Sequence, residues 1–150
     1  MYAAVTIISL VLAAVVDRAA KIFLVAHPGY ELTIVPRVLS FELVANSTGP
    51  LGLPISPNVV FVLLFSLAAA VALACCTSGS HRILVLFVTI GVASNTYDRS
   101  TLGFVVDTLR LSTGLAFNLA DLYITLSLVV WGVSVFWTRW HRSLLITTTS

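Results

Sequence analysis

FVVDTLRLSTGLAFNLADLYITLSLVVWGVSVFWT, residues 104–138, sets two aspartates against apolar sequence. Asp107 closes the run Phe104-Val105-Val106. Asp121 closes Phe117-Asn118-Leu119-Ala120 and opens the run Leu122–Thr138. A run of that length matches the roughly 17–25 helical residues that cross a bilayer core. An ionisable group at the edge of a bilayer is costly, and it marks a functional site by default. Two carboxylates held close by a short connection can divide acid and base work between them.

The surrounding chain is of the same kind. Its 150 residues are 59% hydrophobic and only 9% charged, with a mean hydropathy of +1.05. A soluble domain of this length needs far more charge to cover its surface. Apolar runs at Met1–Val16, Val59–Cys76 and Ile83–Tyr97 join Leu122–Thr138. They predict four transmembrane helices, near 1–26, 59–76, 83–99 and 119–138, in a single integral membrane domain over 1–150. The first run has no basic n-region and no clear small-residue cleavage site, so it reads as an uncleaved helix. The connection 27–58 is punctuated into turns by Pro28, Gly29, Pro36, Gly49, Pro50, Gly52, Pro54 and Pro57. Within it, Tyr30–Val35 and Val38–Ala45 read as short strands. The expected fold class is a membrane all-α bundle of four transmembrane helices with a small outer β-sheet element. Ser100–Gly103 reads as a turn, Phe104–Leu111 as a strand or extended segment, and Ser143–Ser150 as a frayed tail.

Four spans place both termini on one side. Asp17, Glu31, Glu42, Asp98, Asp107 and Asp121 then all fall at the opposite face. Arg82, Arg139 and Arg142 mark the acid-free face, which the positive-inside rule assigns to the cytoplasm. Five of the eight Lys and Arg residues nevertheless lie across from it. Trp137 and Trp140 suit an interface. A formal net charge of +2 is too small to imply a nucleic-acid partner. His27, His81 and His141 have no metal-site spacing. Adjacent cysteines such as Cys75 and Cys76 rarely pair; they read as small apolar residues, with lipidation the lesser alternative.

Asp107 and Asp121 flank 13 residues that include Ser112, Thr113 and Gly114. That connection suits a tight return between neighbouring helices, which pack about 8–10 Å apart. The two carboxylates, at facing helix ends, would come within reach of one water. Close carboxylates tend to share a proton. The ionised member can then take a proton from water while the other donates one. The competing reading makes both merely solvated border acids. Asp17 and Lys21, at i and i+4, can pair on one helix face, as a structural ion pair that lets the first helix end in the interface. Gly91, Asn95 and Asp98 share an inward face with Arg99 alongside. Asn95 and Asn118 can donate to a carboxylate or a substrate carbonyl, or act as hydrogen-bonding glue between helices. No Gly-x-Ser-x-Gly and no His-Glu-x-x-His is present.

Asn95-x-x-Asp98-Arg99, Gly103-x-Val105-Val106-Asp107 and Phe117-Asn118-x-Ala120-Asp121 together resemble the signature of lipoprotein signal peptidase (signal peptidase II). Asp17-x-x-x-Lys21, the chain length and the four spans fit as well. The resemblance implies an intramembrane aspartyl endopeptidase with Asp107 and Asp121 as its dyad. Asn95, Asp98, Arg99 and Asn118 would line or brace the site, with Asp17 and Lys21 nearby, and Asn46 would match a polar residue of the outer segment. The implied substrate is a bacterial prolipoprotein carrying a diacylglyceryl cysteine, cut just before that cysteine by a monomer in the inner membrane. No metal, cofactor or covalent intermediate is implied. Three features depart from the pattern: the stretch Asn46-Ser47-Thr48-Gly49-Pro50-Leu51, and the serines Ser94 and Ser127 where the family favours glycine. Two rival readings are a non-catalytic relative that binds lipoprotein or lipid, and a small transporter or channel subunit.

Overall fold

The computed structural model describes residues 2–48, 65, 68, 72 and 82–147. Apart from three single positions, the span expected near 59–76 lies outside the described residues. So do Gly49–Asn58 of the outer segment, Cys75, Cys76 and His81. Three helices are described: α1 (Tyr2–Ala26), α2 (Arg82–Leu102) and α3 (Leu119–Thr147). Four strands, β1 (Glu31–Val35), β2 (Leu39–Asn46), β3 (Val105–Leu111) and β4 (Ala116–Phe117), form one antiparallel sheet in the order β1-β2-β3-β4.

The sheet differs from the expected outer element in one respect that matters for the site. It is not confined to residues 27–58, because β3 pairs with β2 and carries Asp107 into the sheet. Asp107 is therefore a strand residue and does not sit at a helix end. The β-branched residues Val105, Val106 and Thr108 favour this pleated, half-buried setting. Ser112, Thr113 and Gly114 likewise join two strands and not two helices. Leu111 N–H donates to Leu115 O at 2.8 Å, and Gly114 takes φ +90°, closing a three-residue hairpin loop.

Strand register sorts the two faces. Leu32, Phe41, Leu109 and Phe117 lie opposite one another across the four strands, beside the row Thr33, Ser40, Arg110 and Ala116. Successive residues point to opposite faces, so one row is apolar and the next largely polar. The apolar row meets the end of α1, where the Phe23 and Phe41 rings stack with centroids 6.5 Å apart. Asp107 lies two residues from Leu109 and so faces the helices with it.

Two helix ends also differ from expectation. α2 continues through the turn expected at Ser100–Gly103, its Ser100 and Thr101 hydroxyls donating to the carbonyls of Thr96 and Tyr97. It stops at Gly103, where φ is +81° and the N–H donates to Arg99 O at 3.1 Å. That left-handed cap is one glycine adopts freely. α3 runs to Thr147, through most of the expected frayed tail, because no glycine or proline interrupts residues 133–147.

α2 and α3 pack closely because Gly91 has no side chain. A Cβ there would stand 2.6 Å from Ala120 O and 2.7 Å from Ile124 Cγ1. Burial is inverted relative to a water-soluble protein. Asp17, Lys21, Asn95, Asp98, Asp107, Thr108, Asn118 and Ser127 are buried, whereas Val5, Ile8, Val11, Leu12, Leu126, Val133, Phe136 and Trp137 are exposed. Exposed apolar surface on this scale calls for an apolar partner or medium. Among the described residues one helical segment, Leu119–Thr138, is long and apolar enough to cross a membrane.

Candidate active site

Asn118 is the joint of the site. It caps α3: its Oδ1 accepts the Asp121 N–H at 2.9 Å, and its own N–H donates to Asp121 Oδ2 at 3.2 Å. This is the reciprocal pattern of a capping box, with Asp121 at the third helical position. The Asn118 amide Nδ2 also donates to Asp107 Oδ1 at 3.0 Å and to Val106 O at 3.3 Å. One fully buried asparagine therefore touches both aspartates, one from the start of α3 and one from β3.

Each carboxylate receives a further amide. Asn95 Nδ2 donates to Asp121 Oδ1 at 2.7 Å, and Asn46 Nδ2 donates to Asp107 Oδ2 at 2.9 Å. The orientation of all three amides follows from what holds their oxygens. Asn46 Oδ1 accepts the Thr48 N–H and hydroxyl, at 3.1 and 2.9 Å. Asn95 Oδ1 accepts the Lys21 ammonium at 2.8 Å. Asn118 Oδ1 holds the Asp121 N–H. Each NH2 group is thereby turned toward an aspartate.

Burial raises the Asp107 carboxyl from its ordinary 3.8 to about 6. The amide from Asn46 works against that rise, the negative charge of Asp121 adds to it, and the Asn118 amide and the Lys21 charge oppose it. Asp121 sits in the first turn of α3, where the helix dipole favours negative charge. A cavity of about 460 Å³ opens beside Asp107, lined by Val44, Asn46, Thr48, Thr113 and Leu115 among others.

Behind the amides lies a buried charge cluster. Lys21 Nζ stands 2.9 Å from Asp98 Oδ2 and 3.3 Å from Asp17 Oδ2. The i, i+4 pair expected from the sequence is present, but Asp98 of α2 is the nearer partner. Both side chains are buried, and the helix runs on to Ala26, in keeping with the expected bounds near 1–26. A helical backbone can run on past buried charges once these are paired. Arg99 turns away from the cluster and donates through Nη2 to Thr48 O, fastening the turn that orients Asn46. Among the described residues its Nη1 is buried without a hydrogen-bond partner.

The structure thus links Asn46, Asp107, Asn118, Asp121 and Asn95, in that order, through one chain of hydrogen bonds. Asp17, Lys21 and Asp98 stand one residue behind them, and Arg99 acts on the neighbouring turn. Sequence reasoning missed Arg18, and it named Ser94 and Thr48 only as departures from the family pattern, with no role in the site. Arg18 Nη2 lies 2.5 Å from Asp98 Oδ1, and Ser94 Oγ donates to Asp17 Oδ2 at 2.5 Å. The available signal for Arg18 was its place within a largely apolar helix, where a cation needs a buried acid as partner.

Comparison with known proteins bears on the family and the fold. The family model described as Signal peptidase (SPase) II matches residues 9–137. Two solved structures described as bacterial membrane enzymes, obtained by the in meso method at 2.3 and 1.9 Å resolution, share the fold. The first has a TM-score of 0.76 at 17% identity, covering 89% of this chain and 88% of its own. The second has a TM-score of 0.72 at 18% identity, covering 88% of this chain and 92% of its own. No curated protein sequence matches. With most of its length matched by the family model, the chain belongs to the signal peptidase II family of aspartic-type peptidases.

Proposed function

We propose that this chain is a four-span endopeptidase of the bacterial inner membrane. It removes the signal peptide from diacylglyceryl-modified prolipoproteins, cutting just before the lipidated cysteine, with Asp107 and Asp121 as the catalytic dyad. The observation that carries this reading is the bridge by Asn118, which binds Asp107 through its side chain and caps the helix turn that holds Asp121. In this reading residues 1–150 form one membrane domain of four spans, the second of them near 59–76. Both termini are cytoplasmic, and the dyad lies toward the outer face. The protein works as a monomer.

The mechanism follows from the proton shared by the pair. The ionised aspartate takes a proton from a water between the two carboxylates, and the resulting hydroxide attacks the scissile carbonyl. The protonated aspartate gives its proton to the carbonyl oxygen, forming a gem-diol. It takes a proton back from a gem-diol hydroxyl as the C–N bond breaks, while the first aspartate passes the water-derived proton to the leaving amine. Asn46, Asn95 and Asn118 hold the carboxylates in place by donating to them. Arg99 fixes the Asn46–Thr48 turn at the rim of the cavity, and Asp17, Lys21 and Asp98 support the site from behind. The apolar exterior of α1 and α3 suits a substrate whose lipid tails remain in the bilayer.

Cleavage of a diacylated prolipopeptide by the purified protein in detergent tests the proposal. Wild-type protein should release the signal peptide, and Asp107→Asn and Asp121→Asn should each fall to background while remaining folded. Cleavage by either variant at the wild-type rate would remove the dyad assignment. A folded wild-type protein that binds the peptide without cutting it would favour the non-catalytic alternative.

A further inference from the structure

We propose that Arg18, Lys21 and Ser94, together with Asp17 and Asp98, form a brace that positions the dyad by gripping the backbone just before each aspartate. The inference rests on the dyad reading above and deepens it. Asp17 Oδ1 accepts the N–H of Ala120 at 3.0 Å, and Asp98 Oδ2 accepts the N–H of Val106 at 3.3 Å. Ala120 immediately precedes Asp121, and Val106 immediately precedes Asp107. Two buried carboxylates, one on α1 and one on α2, therefore hold equivalent points on the helix and on the strand.

Lys21 joins these two grips. Its ammonium lies within 3.3 Å of Asp17 and 2.9 Å of Asp98, and its third contact, to Asn95 Oδ1 at 2.8 Å, turns the Asn95 amide toward Asp121. Ser94 closes the figure, donating to Asp17 at 2.5 Å and accepting from Lys21 at 3.2 Å. Arg18 holds the remaining oxygen of Asp98 at 2.5 Å, with its guanidinium carbon 4.9 Å from the centre of the Tyr97 ring. Two cations meet two anions, so the cluster is neutral as a whole. Buried charge persists when it is paired and hydrogen-bonded in this way.

These are positioning residues. Lys21 reaches Asp121 through Asn95, and Asp17 and Asp98 reach the dyad through backbone N–H groups. Their effect is to set the distance between a strand residue and a helix residue that must share one proton. Displacement by about 1 Å at such a centre lowers rate by roughly a hundredfold.

The test measures kcat and KM for a diacylated prolipopeptide with full-length protein in detergent, alongside the thermal unfolding midpoint of each variant. Ser94→Ala should lower kcat by about 3–10-fold and Lys21→Met by about a hundredfold, both with KM within about twofold of wild type. Arg18 is 30% exposed at its side chain and tolerates exchange more readily. Arg18→Met should lower kcat by about tenfold, and Arg18→Lys should recover most of that loss. Thr89→Ala, on the exposed face of α2, should leave both constants unchanged. The brace is overturned if KM rises while kcat holds, or if the kcat losses disappear once each variant is assayed at the same interval below its own unfolding midpoint. Should Lys21→Met fail to fold, wild-type kcat in both Ser94→Ala and Arg18→Met overturns the brace. Asp107→Asn in the same assay separates the two ideas: activity there ends the dyad reading, whereas silence there beside fully active Ser94→Ala and Arg18→Met ends the brace alone.

Discussion

Replacing Asp107 by asparagine should end cleavage and, above pH 6, make the folded protein more stable. Burial places the Asp107 carboxyl at about 6 against an ordinary 3.8, a gap of about two units. Each unit is worth about 1.4 kcal/mol, so ionised Asp107 withholds about 3 kcal/mol from the folded state at pH 8. The sign follows from proton counting. Between pH 3.8 and about 6 the folded form binds more protons than the unfolded form, so stability falls as pH rises through that interval. Asparagine does not titrate, and it closely matches protonated aspartate in shape, with one acceptor edge for Asn46 or Asn118. The stability difference should therefore be near zero below pH 3.8 and grow to about 3 kcal/mol in favour of the variant at pH 8. Unfolding in mixed micelles, followed by the fluorescence of Trp131, Trp137 and Trp140, measures it. A difference that does not change between pH 3.5 and 8, or one that turns against the variant as pH rises, would refute the assignment of a costly buried charge to Asp107.

Two further outcomes follow from the same geometry. Asn46→Ala removes a donor that opposes the rise at Asp107, so the titration seen in the stability profile should move above pH 6; kcat should fall by about a hundredfold, as for a lost donor in a preorganised site. Gly91→Ala forces a Cβ against Ala120 O and Ile124, which should cost about 1–3 kcal/mol of stability. Because Asn95 lies one turn further along α2, its contact with Asp121 should loosen, and cleavage assays should show more than a tenfold loss of kcat.

Local pattern carried some of this site in the sequence, and long-range pairing carried the rest. Asp107 and Asp121 stood out because charge is scarce here, and the inward stripe of Gly91, Asn95 and Asp98 was visible in helical spacing. All three are buried in the structure. The setting of Asp107 was not visible. Phe104–Leu111 reads equally as strand or extended chain until β2, some 60 residues earlier, supplies its partner. Lys21 shows the same limit: i, i+4 spacing reveals Asp17, but the nearer acid, Asp98, belongs to another helix. Ser94 carries no charge and sits on a helix at a position any small residue could fill, so only the three-dimensional meeting of Asp17 and Lys21 gives its hydroxyl a role. The helix ends at Leu102 and Thr147 lie beyond the expected ones because no glycine or proline stops α2 before Gly103, and none interrupts α3 after Gly132.

The three oriented amides have a consequence for the energetics of reaction. Solvent around a carboxylate pair must turn its dipoles whenever a proton passes from one oxygen to another, and that turning contributes to the barrier. Asn46, Asn95 and Asn118 cannot turn, since Thr48, Lys21 and the N–H of Asp121 hold their oxygens in place. The field around Asp107 and Asp121 is therefore set when the chain folds, before any peptide arrives. On the proposed dyad mechanism its reorganisation is completed in advance, so that proton transfers between water, carbonyl and amine would proceed within dipoles that already point the right way.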